Sequence, residues 1–248
     1  MKFKALIFDL DGTAFSTGRE SIPSNVVIHA VKKAKELVSI SIATARRLSS
    51  LESIFKVLEL ESPSVIMGGT AIINPVTNRF LWQKLINQSV IKKISEIVRK
   101  YPGEIIMGDG PIYDRQKSFK INECSVIYLR NPSQEIADKI AEELKSIPKI
   151  AFFFAVSWIP NWVDIHITNI KATKKQGVEK LTELLKVKKE EVIVVGDSFN
   201  DLPLFESAGF KVAMGNAEDS LKAKADFIAP SVYEDGLAKV IEKFILNK

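Results

Sequence analysis

The chain has 248 residues, of which 46% are hydrophobic, and its 35 Lys and Arg against 30 Asp and Glu give a formal net charge of +5. This length and apolar content exclude a disordered chain and suit one large domain, or a core domain with an insertion. No apolar run approaches the roughly 20 residues of a membrane-spanning helix, and no signal-peptide pattern precedes the first predicted strand. We therefore expect a cytoplasmic protein without a membrane partner.

The cysteine content and the spread of charge narrow the choice of ligands. Cys124 is the only cysteine, which excludes an intrachain disulfide and leaves oxygen as the main donor for any metal. The basic residues are spread along the chain without a long basic block, which argues against a nucleic-acid partner. The positive net charge is compatible with an anionic ligand.

The first predicted strand ends in a pair of acids. Residues 4–8 form a short apolar run, typical of a strand buried on both faces, and Asp9 follows it. Asp11 comes two residues later, and Gly12 allows a sharp turn after the pair. Ligands bind at the carboxyl ends of strands in open α/β sheets, and two carboxylates this close repel unless a cation lies between them. A solvated Asp-Gly turn is the alternative.

Polar residues also follow the second predicted strand. The patterns predict, in chain order, a helix over residues 26–37, a strand over 39–43, a helix over about 45–60 and a strand over 64–67. Thr44 therefore lies at a helix N-terminus, where unpaired N–H groups bind phosphate, although an ordinary N-cap explains it equally. Arg46 could reach an anion from the first turn, and Arg47 competes for that role.

The pattern changes after Asn74-Pro75. Helices are predicted over residues 88–101 and 132–146, and strands over 104–107, 124–129, 152–157 and 162–168. Paired strands follow helices here, which favours a separate α+β unit inserted into the core domain. We predict a core of residues 1–80 and 170–248 and an insert of residues 81–169. On the last of these strands Asp164, His166 and Thr168 share a face that looks at either substrate or water.

Two lysines open the helix that follows the insert. Thr173 and Gln176 have the spacing of a capping box, which places Lys174 and Lys175 in the first helical turn. The helix dipole disfavours cations there, so a nearby anionic cluster would explain them. Two solvated surface lysines are the alternative.

The strand predicted over residues 191–195 ends in a second acidic segment. Asp197 and Asp201, with Ser198 and Asn200 between them, offer oxygen ligands on a strand-to-helix turn, which suits a hard cation such as Mg²⁺. An Asp helix cap is the alternative. Two acidic strand ends, one near each terminus, indicate a shared cation site. The tail is predicted to add strands over 211–214 and 225–229 and a helix over 236–246.

Four segments resemble, in order and spacing, the four motifs of the haloacid dehalogenase superfamily of phosphatases. They are residues 8–13, Thr44, Lys174 and residues 196–201. The insert is similar to the α/β cap of the Cof-type sugar-phosphate phosphatase branch, and residues 213–217 and 234–236 resemble that branch's C-terminal segments. This chain has Thr44-Ala45-Arg46 where the branch has Thr-Gly-Arg, and Gly68-Gly69 where the branch often has Asn-Gly.

The resemblance implies a fold and an activity. The expected fold is α/β, with a doubly wound, mostly parallel, Rossmann-like sheet in the core and an inserted α+β cap. The expected activity is Mg²⁺-dependent hydrolysis of a small phosphorylated metabolite, a sugar phosphate or a phosphoglycolate-like ester, through an aspartyl-phosphate. A phosphomutase of the same superfamily and a non-catalytic phosphometabolite-binding protein are the alternatives.

The resemblance also implies roles for the acids. Asp9 is expected to be the nucleophile and Asp11 the general acid and base. Mg²⁺ is expected to be held by the Asp9 carboxylate, the Asp11 backbone carbonyl and Asp197, with Asp201 as a direct ligand or a supporting residue. Ser198 and Asn200 are expected to support this site.

Phosphate binding is assigned in the same way. Thr44, Ala45 and Lys174 are expected to bind phosphate oxygens, and Arg46 is a candidate contact to the substrate. Lys175 and Lys171 are alternatives to Lys174. Trp158, Trp162, Asp164 and His166 of the insert are candidates for choosing the leaving group.

Overall fold

The computed structural model describes residues 2–16, 22–117, 123–157 and 159–247 of the chain. The chain divides into two compact units, a core unit of residues 1–82 and 174–248 and an insert of residues 83–173. None of the helices in these described ranges has the length and apolar content that crossing a membrane requires.

The elements follow one another in three stretches. The core unit begins with β1 (Ala5–Phe8), α1 (Asn25–Ala34), β2 (Ser39–Ile42), α2 (Glu52–Leu58), β3 (Ser64–Ile66), β4 (Ala71–Asn74) and β5 (Arg79–Gln83). The insert contains α3 (Gln88–Val98), β6 (Glu104–Met107), β7 (Ile112–Asp114), β8 (Val126–Asn131), α4 (Gln134–Leu144), β9 (Ile150–Val156) and β10 (Val163–Asn169). The core unit resumes with α5 (Lys174–Leu185), β11 (Val192–Gly196), α6 (Leu202–Glu206), β12 (Phe210–Ala213), α7 (Asp219–Lys222), β13 (Phe227–Ile228) and α8 (Gly236–Ile241), which continues as a π-helix over Glu242–Leu246.

Parallel strands form the central sheet of the core unit, in the order β13-β12-β11-β1-β2. Every residue of β1 and β11 is buried, as in parallel sheets that are covered on both faces. A parallel bridge from Ala43 to Val65 joins β2 to β3, and β3 continues into a sheet of order β3-β4-β5. The helices form two groups, α1 with α2 and α8, and α5 with α6. The predicted doubly wound, mostly parallel sheet is confirmed.

The insert has its own sheet and its own hydrophobic core. Its five strands have the order β7-β6-β8-β10-β9 and pair antiparallel throughout. Apolar side chains of α3 and α4 pack with one face of this sheet, where Leu129 of β8 and Ile165 of β10 are fully buried. On the other face His166 lies edge-on to Tyr128 and Phe153, with ring centroids 4.7 Å and 5.0 Å away. The insert is therefore the α+β unit that the sequence predicts.

The predicted helix over about residues 45–60 is wrong at its start. A short 3₁₀ turn covers Leu48–Ser50, and the α-helix begins only at Glu52. The hydroxyl groups of two residues satisfy backbone groups locally: Thr44 Oγ1 accepts the N–H of Arg46 at 3.1 Å, and Ser50 Oγ donates to the carbonyl of Arg47 at 2.8 Å. Such bonds compete with helix formation, so Thr44 lies in a loop and not at a helix N-terminus. Strands β4 and β7 are not predicted from the sequence, and at β5 the sequence pattern fits either a strand or a loop.

Candidate active site

The two acidic segments meet at the carboxyl ends of neighbouring strands. Phe8 pairs with Val195 in the β1–β11 ladder, and the Asp9 N–H continues it by donating to the Val195 carbonyl at 3.0 Å. From β1 the chain passes to β2 on one side, whereas β11 lies on the other side. This reversal of strand order is where open α/β sheets bind ligands, and it holds both Asp9 and Asp197.

Three carboxylates lie close enough to share one cation. Oxygen atoms of Asp9, Asp197 and Asp201 all lie within 4.8 Å of one another. Burial raises the pKa of Asp197 to about 7, and the charge of Asp201 adds to the effect. Burial also raises the pKa of Asp9 well above its usual value, against the opposing charge of Lys174. Because clustered, buried carboxylate oxygens are the donors that hard divalent cations prefer, this set fits a divalent metal ion.

Lys174 is the cation that the structure places among these acids. Its side chain is 5% exposed, and Nζ lies 2.8 Å from Asp9 Oδ1 and 2.5 Å from Asp201 Oδ1. Burial alone lowers the pKa of Lys174, but the two carboxylates outweigh it and hold the pKa above its usual value. Lys175, by contrast, pairs with Glu206 at 2.9 Å on the surface, and Lys171 is exposed. The geometry therefore favours Lys174 among the three lysines.

The first turn of α5 reaches the site because Gly177 permits a close approach. A Cβ atom at Gly177 would lie 2.7 Å from the carbonyl oxygen of Gly69, so a larger residue would push the helix away from this loop. Gly68 and Gly69 have φ angles of 70° and 103°, which favour glycine. The two glycines that replace Asn-Gly thus form the loop against which α5 packs.

Asp201 shapes its own loop. Oδ1 accepts from Lys174, and Oδ2 accepts the N–H groups of Asp197 and Ser198 at 3.0 Å and 3.2 Å. A Cβ atom at Gly196 would lie 2.7 Å from the Asp201 side chain, so glycine is required there. Asp201 is fully buried, and its contacts suit a residue that orients the loop and Lys174. Beside it, Ser198 Oγ donates to the Oδ1 of exposed Asn200 at 3.0 Å.

The two acidic loops touch through Gly12 and Thr13. Gly12 has a φ of +82°, and a Cβ atom there would lie 2.2 Å from Asp197 Oδ2. Thr13, which is 1% exposed, donates from Oγ1 to Asp197 Oδ1 at 3.1 Å. No role is assigned to Thr13 from the sequence, although its position two residues after Asp11 is a usable signal. The structure shows that Thr13 orients Asp197.

Arg46 faces Asp11. Its Nε and Nη2 atoms donate to Asp11 Oδ2 and Oδ1 at 2.8 Å and 2.6 Å, and its guanidinium carbon lies 5.1 Å from the centre of the Phe15 ring. The Arg46 and Asp11 side chains are 9% and 24% exposed. A two-pronged pair of this kind fixes both position and orientation, so Arg46 orients the Asp11 carboxylate in this structure.

Thr44 lies at the end of β2, 1% exposed. Its N–H donates to the Val65 carbonyl at 3.0 Å, and its hydroxyl accepts from Arg46 N. Because that bond uses a lone pair of Oγ1, the hydroxyl proton stays available for an acceptor such as a phosphate oxygen. Ala45 follows in the same loop, half-buried.

Two leaving-group candidates of the insert, Asp164 and His166, are buried, as is Thr168 on the same face of β10. Asp164, His166 and Thr168 are 5%, 9% and 2% exposed. Burial raises the pKa of Asp164, and it lowers the pKa of His166 to about 4, with a contribution from the charge of Arg130. Trp158 lies outside the described residues, and Trp162 is half-buried.

Comparison with known proteins gives matches over nearly the whole chain. The family model of haloacid dehalogenase-like hydrolases matches residues 6–156 and 111–241. The phosphoglycolate phosphatase of Methanosarcina acetivorans is 26% identical over 245 residues, which are 98% of this chain and 96% of that protein. The 5-amino-6-(5-phospho-D-ribitylamino)uracil phosphatase of Bacillus subtilis is 26% identical over 252 residues, with the same two shares. A haloacid dehalogenase-like hydrolase of Bacteroides thetaiotaomicron superposes with a TM-score of 0.82 at 22% identity, covering 98% of this chain and 99% of that one.

Proposed function

Because the chain belongs to the haloacid dehalogenase-like hydrolases, we propose that it is a Mg²⁺-dependent phosphatase of a small phosphorylated metabolite, with Asp9 as its nucleophile. As an enzyme it is a phosphoric monoester hydrolase of the Cof-type branch. Its relatives named above include a phosphoglycolate phosphatase and a phosphatase of a phosphorylated ribityl compound. The proposed substrate is accordingly a sugar phosphate or a phosphoglycolate-like ester.

The observation that carries the proposal is the contact between Asp9 and Lys174, 2.8 Å apart, beside Asp197 at the end of the next strand. A carboxylate that attacks a phosphate dianion needs positive charge around it, because both partners are negative. Lys174 supplies one such charge from the protein. The proposed Mg²⁺, held by Asp9, the Asp11 carbonyl and Asp197 with Asp201 in support, supplies further positive charge against the phosphate and the acids.

Asp9 starts the reaction as a nucleophile. One of its carboxylate oxygens forms a bond to phosphorus while the bond from phosphorus to the leaving oxygen breaks. Asp11 gives a proton to that oxygen, so the product leaves as a neutral alcohol. In the second step Asp11 takes a proton from water, the water oxygen bonds to phosphorus, and the bond from phosphorus to the Asp9 oxygen breaks, which restores the Asp9 carboxylate. The released product is inorganic phosphate.

The remaining residues hold the phosphate and the acids in place. Thr44, Ala45 and Lys174 bind phosphate oxygens in this proposal, Thr44 by donating its hydroxyl proton, while Lys174 also lies against Asp9. Arg46 orients Asp11 through the two hydrogen bonds between their side chains. Positioning of this kind supplies most of the catalysis in phosphoryl transfer.

The test is phosphate release from a panel of small phosphate esters, including phosphoglycolate and several sugar phosphates, with and without Mg²⁺. We expect turnover of at least one ester with Mg²⁺, and none by the Asp9→Asn variant, whose fold is checked by circular dichroism. Transfer of phosphate to another position of the sugar without release would indicate a mutase. Turnover by Asp9→Asn at the wild-type rate would contradict the covalent step.

A further inference from the structure

A third segment of the core unit contacts both acidic loops. Directly after β12, residues 215–218 form a turn that we call the brace. Its Asn216 donates from Nδ2 to the carbonyl oxygen of Gly12 at 2.8 Å. Its Glu218 donates from its backbone N–H to the Asp197 carbonyl at 2.9 Å and accepts the N–H of Phe199 at Oε1, 3.1 Å away. One short turn thus holds the loop after β1 and the loop after β11.

Asn216 is itself held from the opposite side. Its Oδ1 accepts the N–H of Val232 at 2.8 Å, so both ends of the amide are engaged with backbone groups. Val232 opens a 3₁₀ turn whose N-cap Ser231 exchanges hydrogen bonds with Glu234. The side chain of Asn216 is therefore held by the Val232 N–H at its Oδ1 atom and binds the Gly12 carbonyl through its Nδ2 atom.

The Gly12 carbonyl that Asn216 binds lies between two residues of the proposed site. Gly12 separates Asp11, the proposed acid and base, from Thr13, which orients Asp197. Gly12 also has a left-handed φ of +82° and approaches Asp197 too closely for any side chain. A displacement of this peptide would therefore move Asp11 and release Asp197 at the same time.

We propose that Asn216 is a positioning residue for the reaction. Through the Gly12 carbonyl it holds Asp11 and Thr13 in their positions relative to Asp197. The inference rests on the proposed function, and it concerns a residue that does not touch the reacting atoms. Its side chain needs a donor toward Gly12 and an acceptor toward Val232. Of the common residues with this size, only asparagine offers both.

The matched pair of variants for the test is Asn216→Asp and Asn216→Ala. Aspartate keeps the acceptor toward Val232 but replaces the donor toward Gly12 by a carboxylate oxygen, which repels the carbonyl. Alanine removes both bonds. We expect kcat to fall about tenfold or more in both variants with KM nearly unchanged, because misplacement of reacting groups by about 1 Å costs up to about a hundredfold. The Asn74→Ala variant is the control, since Asn74 also binds turn backbone, at Val76 and Thr77, away from the acids.

The results separate positioning from anchoring. A role limited to anchoring the tail would be rescued by aspartate, so wild-type kcat in Asn216→Asp would overturn the inference. A kcat loss in Asn74→Ala as large as in Asn216→Ala would overturn it too, because the effect would then follow from general destabilisation. Failure of the wild-type enzyme to release phosphate from any ester would instead refute the proposed function. That outcome is measured on the wild type alone, so it is distinct from a result on the Asn216 variants.

Discussion

Arg46 and Asp11 form a two-pronged ion pair, with donor–acceptor distances of 2.8 Å and 2.6 Å. This pair changes the role expected of Arg46. From the sequence, Arg46 is a candidate contact to the substrate, whereas in the structure its guanidinium binds the proposed acid and base. We therefore expect Arg46 to affect the chemical step more than substrate binding.

Replacing Arg46 by Gln is expected to lower kcat by about tenfold or more, because Asp11 loses two charge-assisted hydrogen bonds of about 1.5–3 kcal/mol each. KM is expected to change little. Steady-state kinetics on one phosphate ester measures both quantities. The Arg46→Lys variant keeps the positive charge but not the two parallel N–H donors, and it is expected to have a higher kcat than Arg46→Gln. A raised KM with unchanged kcat in Arg46→Gln would instead indicate that Arg46 contacts the substrate.

Replacing Lys174 by Met is expected to abolish turnover and to destabilise the core unit. Removal of one partner from a buried charge pair leaves carboxylates unpaired, which costs about 3–5 kcal/mol. Thermal unfolding and phosphate release measure the two effects. The matched control is Lys175→Met, because Lys175 forms an exposed pair with Glu206 worth at most about 1 kcal/mol. Equal losses in both variants would contradict the assignment of Lys174.

Replacing Gly12 by Ala is expected to remove activity because the new Cβ atom would lie 2.2 Å from Asp197 Oδ2. The left-handed φ adds a backbone cost of about 1 kcal/mol. Gly108→Ala is the matched control: Gly108 also has a positive φ, of 59°, but its Cβ atom would meet nothing closer than 3.6 Å. Both variants should lose some thermal stability, and only Gly12→Ala should lose turnover. Normal kcat in Gly12→Ala would show that Asp197 can move aside without consequence.

Binding of a divalent ion is expected to stabilise the protein. An ion that binds only the folded state at a hundred times its Kd adds about 2.7 kcal/mol to the free energy of unfolding. The melting temperature should therefore rise with added Mg²⁺ and fall back with excess chelator. Asp197→Asn should weaken this shift, whereas Asp138→Asn, at an exposed site of the insert, should preserve it. An equal Mg²⁺ shift in Asp197→Asn and the wild type would argue against Asp197 as a ligand.

Stability is expected to fall in acid because of His166. Burial and the charge of Arg130 lower its pKa from 6.5 to about 4 in the folded protein, whereas the unfolded chain keeps the ordinary value. The unfolded state then binds more protons between these two values, so the free energy of unfolding decreases as pH falls from about 6.5 toward 4, by about 2 kcal/mol at pH 5 for this one group. The His166→Phe variant keeps an aromatic ring beside Tyr128 and Phe153 and should lose this part of the pH dependence.

Urea unfolding at pH 7.5 and pH 5 measures the effect directly. The difference between the two free energies of unfolding should be smaller in His166→Phe than in the wild type. The same difference in both proteins would mean that His166 takes up a proton as easily in the folded state as in the unfolded chain.

Local sequence patterns are enough to predict much of the core sheet. The apolar runs before Asp9 and Asp197 identify β1 and β11 because strands buried on both faces need continuous apolar sequence. The choice of Lys174 over its neighbour was also within reach. The buried positions Gly177, Val178 and Leu181 follow Lys174 at intervals of three, four and seven residues, so the helical stripe extends back to Lys174 and bypasses Lys175.

Other features depend on contacts that no local pattern encodes. The pair of Arg46 with Asp11 joins residues 35 positions apart, and it forms only because β1 and β2 are neighbours with a fixed register. No helix starts at Thr44, because the hydroxyl groups of Thr44 and Ser50 bind backbone groups in the loop, and such bonds compete with helix formation. The bond from Asn216 to Gly12 spans 204 positions, so only the assembled sheet reveals it.

The position of β1 between β2 and β11 affects how the molecule is made. One edge of β1 pairs with β2, which is synthesised soon after it, whereas the other edge pairs with β11, which is synthesised much later. Thr13, just after β1, and Asp197, just after β11, are 184 residues apart. Throughout that interval the nascent chain carries a bare apolar strand edge, the kind that templates wrong pairing. Chains that stop before β11 are therefore expected to aggregate, and the acidic site can form only after β11 has been made.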